Sequence, residues 1–487
     1  MTRRHDPDGL RLPIKLDSTS NGEFVPVPLA PVHREAKRRA LEAATVNARR
    51  LGLSRRDFLV SSCGAASTLL AMNSAYADAG LRGGHFDIHA EAALDADAAA
   101  AAVQGNEFIF DVQGHFVNPT GAWLKALPDS ARPLAFTNTE GCAAAALPGN
   151  RDHLQCLGPD AFIRNVFLDS DTDLTVLSFV PSTRAGEPLT IEEAAATAGI
   201  VERMQGTHRL YLHGRVNPNQ PGDIEDMDRL AETFGIAAWK TYTQWGPDGK
   251  GFFLDDAPGL AMIEKARKLG VNNIAIHKGL PFGPNSYEHS TCVDVGRVAK
   301  RYPDVNFLIY HSGFVTGTPE GPYDPGRSDG IDALVTSVRK AGLGHGSNVY
   351  AELGSTWRFL MRDPDSAAHA LGKLLKYLGP DNILWGTDSI WYGSPQDQIQ
   401  AFRSFQISAE LQERHGYPAL TPDTRARIFG RNALRLYPVP DDVLQTHLGK
   451  DAVAHLRDNH RNHPDPDFLT YGPKTRREFL NLRKWGG

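Results

Sequence analysis

Residues 108–115 read Phe108-Ile109-Phe110-Asp111-Val112-Gln113-Gly114-His115, an apolar run that turns polar at Asp111 and ends on a glycine and a histidine. The rhythm then returns along the chain. Further apolar runs lie at 174–180, 210–216, 236–239, 273–276, 307–310, 349–351 and 383–385, and with 108–110 they number eight. Apolar runs without alternation suit strands buried on both faces, as in a parallel sheet. The segments 191–204, 224–234, 260–269, 293–302, 331–341 and 367–378 carry apolar residues at helical spacing.

Alternating strands and helices build right-handed βαβ units, and eight such units predict closure into a barrel. The expected fold is therefore α/β, a TIM-type (β/α)8 barrel over residues 107–440, with a long β1–β2 excursion at 113–173 and a C-terminal helical tail at 441–487. An open doubly wound sheet is the alternative, but no Gly-x-Gly-x-x-Gly loop follows the first run. A helix is predicted over 421–437, with Thr421 as N-cap, Pro422 in its first position and Asp423 in its first turn. The tail is polar, contains Pro464, Pro466 and Pro473, and is expected to wrap the barrel or a neighbouring subunit.

In such a barrel, chemistry sits where the strands end. The first run ends in Gln113-Gly114-His115, the fourth in Lys240-Thr241-Tyr242 and the fifth in His277-Lys278-Gly279. The sixth ends in His311-Ser312-Gly313, the seventh in Glu352-Leu353-Gly354 and the eighth in Gly386-Thr387-Asp388. Three histidines and an aspartate thus share one phase. Side chains alternate along a strand, so Gln113 and His115 point the same way, while Lys278 points away from His277 and reads as structural. Imidazoles with a carboxylate suit a divalent ion, zinc or manganese. His115, His277 and Asp388 are the expected ligands, with Gln113 as a weak fourth or as a holder of water. Trp245, Phe314, Trp357 and Trp391 lie just beyond strand ends, where they either embrace a flat substrate or pack the rim. Arg358 either receives a carboxylate or is an ordinary surface arginine.

These strand ends, with Arg427-Ile428-Phe429-Gly430-Arg431-Asn432-Ala433, resemble the amidohydrolase-related branch of the amidohydrolase superfamily over about residues 107–437. That branch includes aminocarboxymuconate semialdehyde decarboxylase and its relatives as well as hydrolases. The resemblance implies a metal-dependent enzyme. It also exposes a departure: the branch carries His-x-His or Glu-x-His on its first strand, and here the first position is Gln113. A neutral amide is a poor ligand, which favours one metal ion over two. Some members carry a carboxylated lysine on the fourth strand. Lys240 sits at that place, where the other reading is a cation paired with Glu352 or with substrate.

Three functions follow as expectations. In metal-dependent hydrolysis of a small organic substrate, the ion acidifies water, Asp388 takes the proton, His311 steadies the developing charge and Lys240 holds an anionic group. In non-oxidative decarboxylation of an aromatic or unsaturated acid, Asp388 carries a proton to the reacting carbon. A metal-free binding barrel is the third.

Residues 54–59 read Ser54-Arg55-Arg56-Asp57-Phe58-Leu59, followed by an apolar stretch to Met72 and then Ala75-Tyr76-Ala77. Basic pair, apolar stretch and small-x-small site in this order resemble a twin-arginine export signal. The expected organisation is a basic leader (1–53), signal (54–77), linker (78–106), barrel (107–440) and tail (441–487), exported to the periplasm or beyond by the twin-arginine machinery. With Cys63 in the removed part, Cys142, Cys156 and Cys292 remain, either as a Cys142–Cys156 bridge plus one thiol or as three thiols. The chain's 487 residues carry 52 basic and 57 acidic side chains, a net −5, and no field for nucleic acid follows from that. No apolar run is long enough for a membrane span in the mature protein. The partners expected are a small-molecule substrate and a second copy of the chain.

Overall fold

A computed structural model describes residues 5–120, 156–205, 208–281, 287–444 and 448–482. Eight parallel strands follow one another in chain order: β1 (Phe110–Gly114), β2 (Leu174–Leu177), β3 (Leu210–Arg215), β4 (Ala238–Tyr242), β5 (Asn273–His277), β6 (Asn306–Tyr310), β7 (Val349–Glu352) and β8 (Ile383–Leu384). Each expected run holds one of them. Helices occupy the predicted intervals, among them Ile191–Gln205, Asp223–Phe234, Ala257–Lys268, Gly330–Lys340 and Pro364–Tyr377. The eight-stranded barrel is what strand–helix alternation predicted.

A seam of hydrogen bonds joins β1 to β8. The Val112 N–H donates to the Trp385 carbonyl at 3.0 Å, the Asp388 N–H to Gln113 at 2.9 Å and the His115 N–H to Ser389 at 2.6 Å. Asp111 is buried in this seam. It accepts from the backbone N–H groups of Thr387 and Gln113, both at 3.0 Å, and from the Thr387 hydroxyl. Burial pushes its carboxyl up to about 7 although these bonds pull it down.

The predicted helix at 421–437 is capped as expected, Thr421 accepting from the Thr424 N–H at 3.1 Å. It is not continuous. A π-helical turn at Arg427–Arg431 divides it, and there the missing Cβ of Gly430 lets Phe108 approach.

Residues 5–106, read from the sequence as leader, signal and linker, pack onto the barrel in this structure. Helices α1 (Pro31–Arg50), α2 (Arg55–Val60) and α3 (Ser62–Asp78) form a layer in which α1 packs along α3. Ala36, Ala40, Ala44 and Ala48, four apart, give α1 a buried stripe. The apolar stretch after the arginine pair is α3, buried nearly all round, with Ala75 and Tyr76 inside. Arg56 is 1% exposed, 3.1 Å from Asp465, bonded to the Pro466 carbonyl and stacked over Phe468. An export core and a fully buried helix share one composition. The stretch 78–106, expected as a linker, holds a ribbon (Gly84–Phe86 against Phe405–Ile407) and a helix (Ala96–Val103) capped by Asp95. The alanines of Ala96–Val103 do here what their helix propensity favours.

Residues 15–24 cross the barrel mouth. Lys15 pairs with Asp397 at 3.2 Å. Arg358 pairs with Asp17 at 2.8 Å and bonds the Lys15 carbonyl. Thr19 meets Thr470 at 2.6 Å, and the Ser20 N–H donates to Pro473 at 2.8 Å. The tail, with helices Ala452–Asn462 and Arg476–Leu482, thus holds the N-terminal segment down. Phe24 packs edge-on against Phe359 at 4.7 Å. Much of the β1–β2 excursion, residues 121–155 with Cys142, lies outside the described residues. Cys156 is disulfide-bonded, while Cys63 and Cys292 are buried free thiols. Among the described residues no helix is long and apolar enough to cross a membrane.

Arg358→Ala leaves the Asp17 carboxylate and the Lys15 carbonyl without their partner. The expected loss is about 2–4 kcal/mol, read as a lower urea midpoint, with protease cleavage before residue 31 appearing first.

Candidate active site

The site forms at the C-terminal ends of the strands. His277 ends β5, His311 follows β6, and Asp388 follows β8. Three of its residues hold left-handed backbone: His311 at φ 66°, Ser355 at 53° and Asp388 at 58°. Non-glycine residues avoid that region, and where they occupy it the surrounding structure enforces it. Here the strand-end turns aim the side chains across the mouth.

Asp388 is buried among donors. The His115 Nε2 lies 3.0 Å away, the Gln113 Nε2 donates at 3.0 Å, and the Ser355 hydroxyl and the Asn21 Nδ2 each donate at 2.5 Å. Burial raises the Asp388 carboxyl, but the hydrogen bond and charge of His115, the charge of His311 and the Ser355 hydroxyl outweigh it. The carboxyl stays well below the usual carboxylate range.

His277 and His311 face each other with ring centres 4.4 Å apart, and Tyr242 stacks on His277 at 4.6 Å. The His311 Nδ1 lies 2.7 Å from the Gly354 carbonyl. Nδ1 therefore carries the proton, and Nε2 keeps its lone pair toward the mouth. Burial lowers His311 to about 4. The Gln244 Nε2 lies 2.7 Å from the His277 Nδ1 and holds that ring with its Nε2 toward Glu23.

Between these rings sits Glu23. Its carboxylate is 2.8 Å from the His277 Nε2 and 3.5 Å from the His311 Nε2. Glu23, His277 and His311 bring three ligand-type atoms within 4.8 Å of one another. The expected trio was His115, His277 and Asp388. His115 and Asp388 lie against each other instead, and Asn21 bridges the two groups, donating to both Asp388 and Glu23. Gln113 turns its amide nitrogen to Asp388, and its buried Oε1 has no hydrogen-bond partner among the described residues. The donor set, buried imidazoles and carboxylates with an orphaned His311 Nε2, fits a divalent cation.

Lys240, on β4, is fully buried. Its ammonium lies 3.9 Å from the Tyr310 ring centre and 4.7 Å from that of Tyr242, and it has no hydrogen-bond partner among the described residues. Burial lowers it to about 8. Glu352, one expected partner, is occupied by the N–H groups of His311 at 3.0 Å and Gly354 at 2.5 Å. Lys278 pairs with Asp294 at 2.9 Å, a structural role as predicted from its phase.

The aromatic residues divide. Trp391 reaches the site, its ring 6.1 Å from that of His115. Trp357 does not. It is fully buried against Phe402 and Phe405, its indole N–H donating to Gln398 at 2.9 Å. Phe314 packs toward Phe359 at 5.8 Å, and Trp245 is buried. Arg358 is already engaged with residues 15–17, so it has no free face for substrate. A cavity of about 580 Å³ lies elsewhere, lined by Lys15, Cys63, Asp169 and Asp171 among others. Its acidic groups are paired with His460, Arg403 and Arg461. Glu23, Asn21, Ser355 and Tyr392, whose hydroxyl lies 2.6 Å from that of Ser355, escaped the sequence reading. An Asn21-Gly22 turn step in an unpatterned stretch was the only sign of the first two.

An eight-stranded barrel with imidazole and carboxylate donors at its mouth defines a class of metal-assisted enzymes. The amidohydrolase family Amidohydro_2 matches residues 110–439, and the chain belongs to that family. No curated protein matches the chain. Similar solved structures include 5-carboxyvanillate decarboxylase from Novosphingobium aromaticivorans with manganese, at 14% identity and TM-score 0.43, covering 68% of this chain and 96% of that one. Another is 2,6-dihydroxybenzoate decarboxylase from Rhizobium, at 15% identity and TM-score 0.40, covering 68% and 98%. A third is a probable 2-pyrone-4,6-dicarboxylic acid hydrolase from Acinetobacter baumannii, at 11% identity and TM-score 0.40, covering 67% and 98%.

Lys240→Met removes a buried charge that has no hydrogen-bond partner. It is expected to raise stability by about 1–3 kcal/mol at neutral pH. The lowered value means the unfolded chain binds more protons here, so wild-type stability gains from Lys240 as pH rises from about 8 toward the ordinary 10.5. Denaturation of both proteins at neutral pH and near pH 10 checks that the gap narrows.

Proposed function

We propose that the chain is a metal-dependent hydrolase acting on a small, carboxylated or aromatic organic molecule. The observation that carries this reading is the meeting of His277, His311, Asp388 and His115 at one barrel mouth, with the His311 Nε2 lone pair and the Asp388 carboxylate turned inward. His115, His277 and Asp388 would hold the ion, zinc or manganese, with His311 within reach. Such an ion supplies Lewis acidity and brings the pKa of water toward neutrality.

The chain's own groups supply the rest. Asp388 has donors on both oxygens, so it enters the reaction ionised and suited to accept a proton from the attacking water. His311 has its Nδ1 fixed on the Gly354 carbonyl and presents Nε2 to the reacting group. The Lys240 ammonium, without a hydrogen-bonded anion among the described residues, binds the substrate's carboxylate. Trp391 walls one side beside His115.

A second reading, non-oxidative decarboxylation, is favoured by the same unpartnered Lys240, because a buried ammonium selects an acid. There Asp388 must arrive protonated, against its four donors. Incubating the metal-loaded protein with aryl carboxylates, lactones, esters and amides separates the two. Ring opening or a leaving group with a new carboxylate is expected, and carbon dioxide release without it would replace hydrolysis by the lyase reading.

His277→Ala and Asp388→Ala are each expected to lower kcat/KM by about 10³-fold or more and to reduce bound metal after dialysis. If both variants keep wild-type metal and turnover, the site lies elsewhere.

A further inference from the structure

We propose that Glu23, carried by the N-terminal segment outside the family's barrel, is itself a ligand of the divalent cation, supplying the charge that Gln113 fails to bring on β1. This rests on the reading of the barrel mouth as a cation site.

Three observations converge. First, the Glu23 carboxylate lies 2.8 Å from the His277 Nε2 and 3.5 Å from the His311 Nε2, and the three donors fall within 4.8 Å of one another. Second, the His311 Nδ1 is committed to the Gly354 carbonyl, so its Nε2 faces Glu23 as a lone pair, without a hydrogen-bond partner among the described residues. Two acceptors across 3.5 Å repel unless something positive lies between them, and a shared cation meets that need. Third, Gln113 spends its amide nitrogen on Asp388 and brings no charge.

The approach of Glu23 is built in. Its N–H donates to the Asn21 Oδ1 at 2.9 Å, and the Asn21 Nδ2 donates to Glu23 and Asp388 together. The flanking residues are clamped by Arg358 on one side and by Phe359 on the other. Asn21 is thus a positioning residue that sets one carboxylate against the other. A consequence follows for processing. Scission after Ala77 would take Glu23 and Asn21 away, so the active chain keeps residues 1–77, whichever compartment it works in.

The test uses the full chain, stripped with a chelator and titrated with manganese(II), the free ion followed by electron paramagnetic resonance. Glu23→Gln is expected to weaken binding about 100-fold, with thermal melting as the check that it folds. A second measurement needs no variant. In the wild type, hydrogen exchange at residues 21–24 is expected to slow when manganese(II) is added, because binding favours the docked segment. Glu23→Gln with wild-type affinity, or exchange indifferent to the ion, overturns the proposal. So does a variant that keeps its metal and gains turnover, which would make Glu23 a plug, and so does an active metal-loaded protein whose intact mass lacks residues 1–77. If the wild type binds neither manganese(II) nor zinc(II), the cation reading of the barrel mouth fails along with this one.

Discussion

The Asp388 carboxylate is the group on which the site depends. A buried carboxylate is tolerable only when its lone pairs are met, and here the partners come from distant parts of the chain. Gln113 and His115 come from β1 and the residue after it, Ser355 from the turn after β7, and Asn21 from the N-terminal segment. The backbone N–H of Asp388 also closes the barrel onto Gln113. One residue therefore ties closure of the sheet to the placement of the histidines and to the docking of the first thirty residues. Its left-handed backbone is the local cost of that convergence.

The N-terminal segment changes how the barrel should be viewed. The family match begins at residue 110, yet the mouth is completed by residues 15–24. These are held by buried polar contacts to Arg358, Arg362, Asp397 and the tail. The α1–α3 layer and the proline-bearing stretch 464–473 act as the frame for that strap.

Legibility in the sequence followed the range of the interaction. Each strand appeared in or beside a local apolar run, because a strand buried on both faces is rich in apolar residues. His277, His311 and Asp388 were visible because they stand at a common phase after such runs. Lys278 was placed correctly by alternation. Trp357 and Arg358 each kept two readings, because position after a strand does not say whether a short helix turns a side chain inward. Packing against Phe402 and Phe405, and pairing with Asp17, decided that.

By itself the chain determined the barrel, its order and most of its mouth, since periodicity, caps and strand-end residues are encoded within a few neighbours. Only the tertiary structure decided that residues 54–77 pack as buried helices and that Glu23 enters the site. It also decided that Gln113 turns its nitrogen to Asp388. The reason is physical: an apolar helix is the same string whether it is a signal or a core element, and a lone glutamate acquires chemistry only from what stands around it. Those surroundings lie hundreds of residues away in the chain and a few ångströms away in space.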